Sequence, residues 1–196
     1  MTVLTKPLMT VDEYLAWAED QPCRYELHKG EVHAMSPETA GHADTKAAVY
    51  MALRNAIRQR GLARHVLPDG MTVRIDQTTA YEPDAVVYSG EKIARSAVEV
   101  PNPLIVVEVL SPSTRQFDVS IKLAGYFRLP SVAHYLIVDP SEPMIVHDRT
   151  SCARHGRRYH YSCGDRGRDD ARSARLGHRY GRCLRGMIAC LTIRMR

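Results

Sequence analysis

The hydrophobic and polar positions fall into blocks that predict an alternation of helices and strands. Thr10, followed by Val-Asp-Glu-Tyr-Leu-Ala-Trp, predicts a short helix over 10–17. Thr10 is a suitable N-cap, and Glu13, three residues on, completes a capping box. The helix ends near Gln21-Pro22. Residues 24–35 alternate apolar and polar side chains around His28-Lys29-Gly30, which is a hairpin pattern. From His42 to Arg60 the apolar positions Ala43, Ala47, Val49 or Tyr50, Leu53 and Ile57 recur at three- and four-residue spacing, and Gly61 follows as a stop. That spacing predicts an amphipathic helix. Strands are predicted over 63–67, 71–75 and 84–88, separated by Pro68-Asp69-Gly70 and by a polar turn over 76–81. Next come a strand over 103–110 and a helix over 117–128 with Phe117, Ile121, Ala124 and Phe127 as its buried stripe. A strand over 134–140 and the start of another at 144–147 complete the pattern.

One position breaks the most apolar run. Leu104, Ile105, Val106, Val107, Val109 and Leu110 flank Glu108 in a β-branched segment that reads as a buried central strand. A lone ionised carboxylate there would cost several kcal/mol, so it needs a cationic partner, a metal ion or a raised pKa. A structural ion pair with an arginine meets that need as well as a chemical site does.

Composition adds an asymmetry. The chain of 196 residues has the size of one domain and carries a net charge of +5. Residues 1–150 hold 15 Lys and Arg against 19 Asp and Glu, a net −4, whereas 151–196 hold 12 Arg, no Lys and three Asp, a net +9. Four of the five cysteines, Cys152, Cys163, Cys183 and Cys190, also lie in that last quarter, without a CxxC pair or zinc-like spacing. Residues 151–196 therefore read as an irregular, poorly ordered Arg/Cys-rich tail after a 1–150 domain. A basic nucleic-acid-binding arm would fit twelve arginines. Enrichment in Arg, Cys, His and Gly without Lys, Val or Phe fits better a GC-rich gene read out of frame from near residue 150, which would leave the strand at 144–147 without a hairpin partner. No signal-like segment precedes the first helix, and no apolar run approaches ~18 residues, so a reduced, cytoplasmic, non-membrane protein is expected.

Four motifs in order carry a resemblance: Arg24-Tyr25-Glu26-Leu27 with Gly30-Glu31; Glu82-Pro83-Asp84-Ala85-Val86-Val87; Val106 to Thr114 around Glu108; and Lys122 with Tyr126. Over residues 8 to 149 the chain resembles the Uma-two family of restriction endonucleases within the PD-(D/E)xK nuclease superfamily. The resemblance implies an α/β, restriction-endonuclease-like mixed central sheet flanked by helices. It implies Mg²⁺-dependent phosphodiester hydrolysis, with Mn²⁺ as a substitute, and DNA as the expected partner. It further implies that Asp84, Glu108 and the main-chain carbonyl of Val109 bind the ion. The superfamily lysine stands two residues after the acidic one, where this chain has Leu110, so the resemblance implies a migrated lysine, Lys122, directed back at the site. Glu26 corresponds to an additional acidic residue that helps activate water or holds a second ion.

Such an assignment suits the chemistry, because magnesium prefers oxygen ligands and phosphodiester cleavage needs a cation and a charge beside the phosphorane. Plainer roles stay open: Asp84 as a turn cap, Lys122 as the i,i+4 partner of Asp118, Glu26 as a solvated strand residue, His42 as a helix-start histidine and Tyr126 as packing. A homodimer would supply two sites for two strands. The acidic body argues for a rival in which a nuclease fold binds nucleic acid or a partner without cutting, or in which the product is truncated and inactive.

Overall fold

A computed structural model describes residues 8–110, 118–140, 144–149 and 157–162. Among the described residues there are three helices, α1 (Val11–Ala18), α2 (Ala40–Gln59) and α3 (Asp118–Tyr126). The strands are β1 (Tyr25–His28), β2 (Glu31–Ala34), β3 (Arg64–Pro68), β4 (Val73–Arg74), β5 (Ala80–Tyr81), β6 (Ala85–Ser89), β7 (Pro103–Val109), β8 (His134–Asp139), β9 (Met144–Arg149) and β10 (Arg157–Ser162). They form a six-stranded sheet in the order β10-β9-β8-β7-β6-β3 and a four-stranded sheet in the order β2-β1-β5-β4. The larger sheet is mixed, since β7 and β8 run parallel while its other neighbours are antiparallel. A parallel pair needs a crossover, and α3 supplies it. No helix among the described residues is long and apolar enough to cross a membrane.

Period 2 along the central strands separates two packing layers. Ala85, Val87, Ile105, Val107, Val109, Leu136 and Val138 face Val49, Leu53, Ala56 and Ile57 of α2. Val86, Val106, Tyr135 and Ile137 pack on the opposite side with Val73, Tyr81 and Tyr126. Glu108 belongs by parity to this second side. A satellite core of Val11, Tyr14, Leu27 and Ala80 joins α1 to the small sheet. The capping box is present: Thr10 N donates to Glu13 at 2.8 Å, and Thr10 Oγ1 accepts from Glu13 N at 3.3 Å.

The structure corrects four expectations. Ala43 and Ala47 of α2 are exposed, and the inward face is instead Thr45, Lys46, Val49, Ala52, Leu53, Ala56 and Ile57. In α3, Ala124 is exposed whereas Lys122, Gly125 and Tyr126 are buried; Phe117 lies outside the described residues. Residues 80–81 are not turn but β5, which bridges β1 and β4. Finally, β9 does have a hairpin partner from beyond residue 150, because β10 pairs with it from Arg157↔Arg149 to Ser162↔Met144. An edge strand needs only an extended backbone with free ladder groups, so the scarcity of aliphatic residues there did not prevent pairing.

Candidate active site

The end of β7 is where the ionisable groups meet. Asp84 stands just before β6, and its backbone N–H continues the ladder by donating to Val107 O at 3.0 Å. Its carboxylate Oδ2 then accepts from Val109 N at 2.6 Å, in a buried, charge-assisted hydrogen bond. The side chain thus takes the place of the next ladder acceptor. Asp84 is therefore an integral part of the sheet and not a loose turn cap.

Glu108, on the side of the sheet that carries Tyr126, is held by α3. Tyr126 OH donates to Glu108 Oε1 at 3.0 Å, and Lys122 Nζ lies 3.5 Å from Glu108 Oε2. The same ammonium lies 2.9 Å from Glu26 Oε1, on β1 of the small sheet. Lys122 is 5% exposed, so it is not a surface lysine, and among the described residues it is the cation that meets Glu108. Glu26 is also withdrawn from solvent, with 12% of its side chain exposed, and accepts from Glu82 N at 2.8 Å. The small sheet thereby contributes a carboxylate to a site otherwise built on the large one.

Tyr81 and Gly125 set the position of α3. A Cβ at Gly125 would lie 2.8 Å from Tyr81 Cε2, so glycine lets the helix press against that ring. Tyr81 in turn packs edge-on against Tyr126, with ring centroids 5.5 Å apart, and carries Lys122 Nζ 5.8 Å from its ring centre. His28 Nδ1 holds the Tyr81 hydroxyl at 2.7 Å.

Lys46, outside the expected set, and His42, expected chiefly as a helix-start histidine and only secondarily as a general base, complete the cluster. His42 Nε2 lies 2.8 Å from Val109 O, the carbonyl implied as an ion ligand. That bond needs the Nε2–H form of the ring, and it fixes the carbonyl while leaving one lone pair available. Lys46, one turn further along α2, forms ion pairs with Asp84 Oδ1 at 3.2 Å, with Asp69 at 2.5 Å and with Glu38. Arg24 adds to this network by pairing with Asp69 at 2.8 Å and Glu82 at 2.7 Å. The signal for Lys46 and His42 was available: positions 42, 46, 49, 53 and 56 form one continuous helical stripe, in which polar residues replace apolar ones at the end nearest the site.

The electrostatics follow from this crowding. Burial pushes the Glu108 carboxyl up to about 8; Lys122 pulls it down, and the negative charges of Asp84 and Glu26 push it up again. Burial and the adjacent Glu108 raise the Tyr126 hydroxyl, so it stays a donor. Burial works against ionised Asp69, but hydrogen bonds from Lys46 and Arg24 hold it below the usual carboxylate range.

This donor set fits a hard divalent cation. Asp84, Glu108 and the Val109 carbonyl offer oxygen only, and a cation between them would offset the burial and the neighbouring negative charges that raise Glu108. Among the described residues no group of three or more His, Cys, Asp or Glu side chains is assembled for a metal. An ion such as magnesium, which keeps several of its waters, asks for few protein ligands.

A mixed sheet with paired acidic groups at the end of its central strands and a lysine directed at them has the form of a restriction-endonuclease-like nuclease fold. Residues 11–165 match the model of the Uma2 family, described as "Putative restriction endonuclease", and the chain belongs to that family. The match continues past residue 150, through β10. Two proteins of Synechocystis are similar over most of their length: slr1290, 29% identical over 133 residues covering 67% of this chain and 69% of its own, and sll1609, 28% identical over 142 residues covering 71% and 79%. Among solved structures, the fold resembles that of a protein from Anabaena variabilis described as "a putative nuclease belonging to DUF820". The TM-score is 0.61 at 15% identity, covering 77% of this chain and 84% of that one.

Proposed function

We propose that the chain is a divalent-ion-dependent endonuclease that hydrolyses phosphodiester bonds in DNA, with Asp84, Glu108 and the Val109 carbonyl as ion ligands and Lys122 and Glu26 as its other catalytic groups. One observation carries the reading: Lys122 reaches across from α3 to lie 2.9 Å from Glu26 and 3.5 Å from Glu108, beside the carboxylate that burial leaves most in need of a cation. When bound, Mg²⁺ or Mn²⁺ would supply Lewis-acid polarisation of the phosphate and lower the pKa of a water. Lys122 places an ammonium where negative charge grows on the phosphorane oxygens, already oriented by its two carboxylates. Tyr126 fixes the Glu108 rotamer, and His42 fixes the Val109 carbonyl, so neither ligand has to be ordered during the reaction. Glu26 holds Lys122 on one side and leaves room for a proton-accepting role toward water. Two copies acting together would cut both strands of a duplex.

The test is cleavage of supercoiled plasmid with Mg²⁺, Mn²⁺, Ca²⁺ or EDTA, comparing wild type with Asp84→Asn, Glu108→Gln and Lys122→Met. Cleavage is expected with Mg²⁺ and Mn²⁺ only, and each variant should fall by at least ~100-fold, the usual loss when a group acting on the transition state is removed. Full activity in EDTA, or in either carboxylate variant, would overturn the mechanism. The net −4 of residues 1–150 favours a second reading, binding without cleavage, which predicts retarded but uncut plasmid under every ion condition.

A further inference from the structure

Lys46 is the feature that the nuclease reading leaves unexplained. It is 6% exposed on the inward face of α2, and Glu38, Asp69 and Asp84 converge on its ammonium. The Asp84 carboxylate is thereby divided: Oδ2 is committed to Val109 N at 2.6 Å, and Oδ1 faces Lys46 Nζ at 3.2 Å. Oδ1 is the oxygen not engaged by the sheet and so the more open to a cation, and Lys46 already stands on it. Of the three pairs this ammonium makes, the one to Asp84 is the longest. Asp69 is anchored independently by Arg24.

We propose that Lys46 is the resident counter-ion of Asp84 and competes with the divalent ion for Oδ1, yielding that oxygen while Asp69 and Glu38 retain the ammonium. The inference rests on the reading of Asp84 as an ion ligand. Lys46 thus sets the affinity of the site. It keeps Asp84 neutralised without a metal, and it weakens metal binding through the repulsion between its own charge and that of the ion. At a separation of ~6 Å and a water-like dielectric, this repulsion amounts to about tenfold in affinity. Removing the charge while keeping the bulk should therefore tighten the site.

The experiment is calorimetric titration of the full chain with MgCl₂ and MnCl₂, for wild type, Lys46→Met, Lys46→Arg and Asp84→Asn, with circular dichroism to verify folding. The expected result is about tenfold tighter binding in Lys46→Met, near-wild-type affinity in Lys46→Arg and none in Asp84→Asn. Lysine ammonium NMR on wild type provides a measurement that does not depend on the Met variant folding. The resonance lost in Lys46→Arg should shift on saturation with Mg²⁺. If wild type binds the ion through Asp84 but Lys46→Met binds no more tightly, or the Lys46 resonance stays fixed, the counter-ion role is overturned and the metal reading survives. If neither wild type nor Lys46→Met binds Mg²⁺ or Mn²⁺, both are overturned.

Discussion

Replacing Glu108 with glutamine should stabilise the EDTA-treated protein at alkaline pH and have little effect at acid pH. The Glu108 carboxyl is raised from 4.5 to about 8, chiefly by burial and in the presence of Asp84 and Glu26. A folded-state pKa above the unfolded one means that the group's stabilising contribution is fully present below about pH 4.5 and is lost as pH climbs through about 8. At ~1.36 kcal/mol per pKa unit the ceiling on that loss is roughly 5 kcal/mol. The attraction of Lys122, 3.5 Å away, is already contained in that ceiling, and relaxation of the site with entry of water on ionisation lowers it further. A net cost of ~2 kcal/mol in wild type at pH 9 is therefore expected, equivalent to ~4–8 °C in Tm for a domain of this size. Glutamine keeps the shape and the acceptor for Tyr126, and it carries no charge at any pH. Thermal unfolding of wild type and Glu108→Gln in EDTA from pH 5 to 9 should show little difference near pH 5, an advantage for the variant that widens from there to about pH 8, and a plateau above it. A constant difference across that range, or a variant that becomes relatively less stable as pH rises, would refute the account of Glu108 as a carboxylate strained by its own charge. Mg²⁺ should reverse the ranking at pH 8, because wild type gains stability from the ion and the variant loses a ligand.

Other measurements probe different parts of the structure. Gly125→Ala sets a methyl 2.8 Å from the Tyr81 ring, and should cost ~1–3 kcal/mol in chemical denaturation while lowering any cleavage rate through displacement of Lys122. Thr10→Ala removes a capping box remote from the site and should cost ~1 kcal/mol in the same assay with cleavage unchanged. Truncation after residue 150 removes β10 and exposes the edge of β9. A lower Tm and aggregation on a sizing column are expected, and an unchanged protein would show that the β9–β10 pairing contributes nothing.

What could be read from the sequence was what local pattern determines. The run around Glu108 is short, β-branched and bounded by prolines, so both a buried strand and an anomalous carboxylate were visible in it. The capping box at Thr10 and the hairpin around Lys29-Gly30 depend on neighbours within a few residues, and they appeared where expected. The rotation of α2 was not legible in the same way. Alanine tolerates either environment, so Ala43 and Ala47 suggested a stripe that places His42 and Lys46 off the inward face, whereas Val49 and Leu53 turn those two polar residues toward Asp84 and Val109. Likewise β5 has only two residues and exists because β1 and β4 flank it, a non-local condition that periodicity cannot report.

The segment after residue 150 shows where compositional reasoning ends. Arginine and cysteine enrichment describes side chains, but the outer edge of β9 presents backbone donors and acceptors, and these pair with any segment able to extend beside them. Arg157-Arg158-Tyr159-His160-Tyr161-Ser162 contains no proline or glycine and places tyrosines two residues apart, which suffices for a six-residue antiparallel register. The unusual composition and the structural role are thus separate properties of the same residues, and only the pairing is tested by truncation. The origin of the composition requires the gene sequence around codon 150. A frame restored there should either keep an extended segment opposite Met144–Arg149 or leave that edge open, and the Tm of the restored protein relative to this one distinguishes the two.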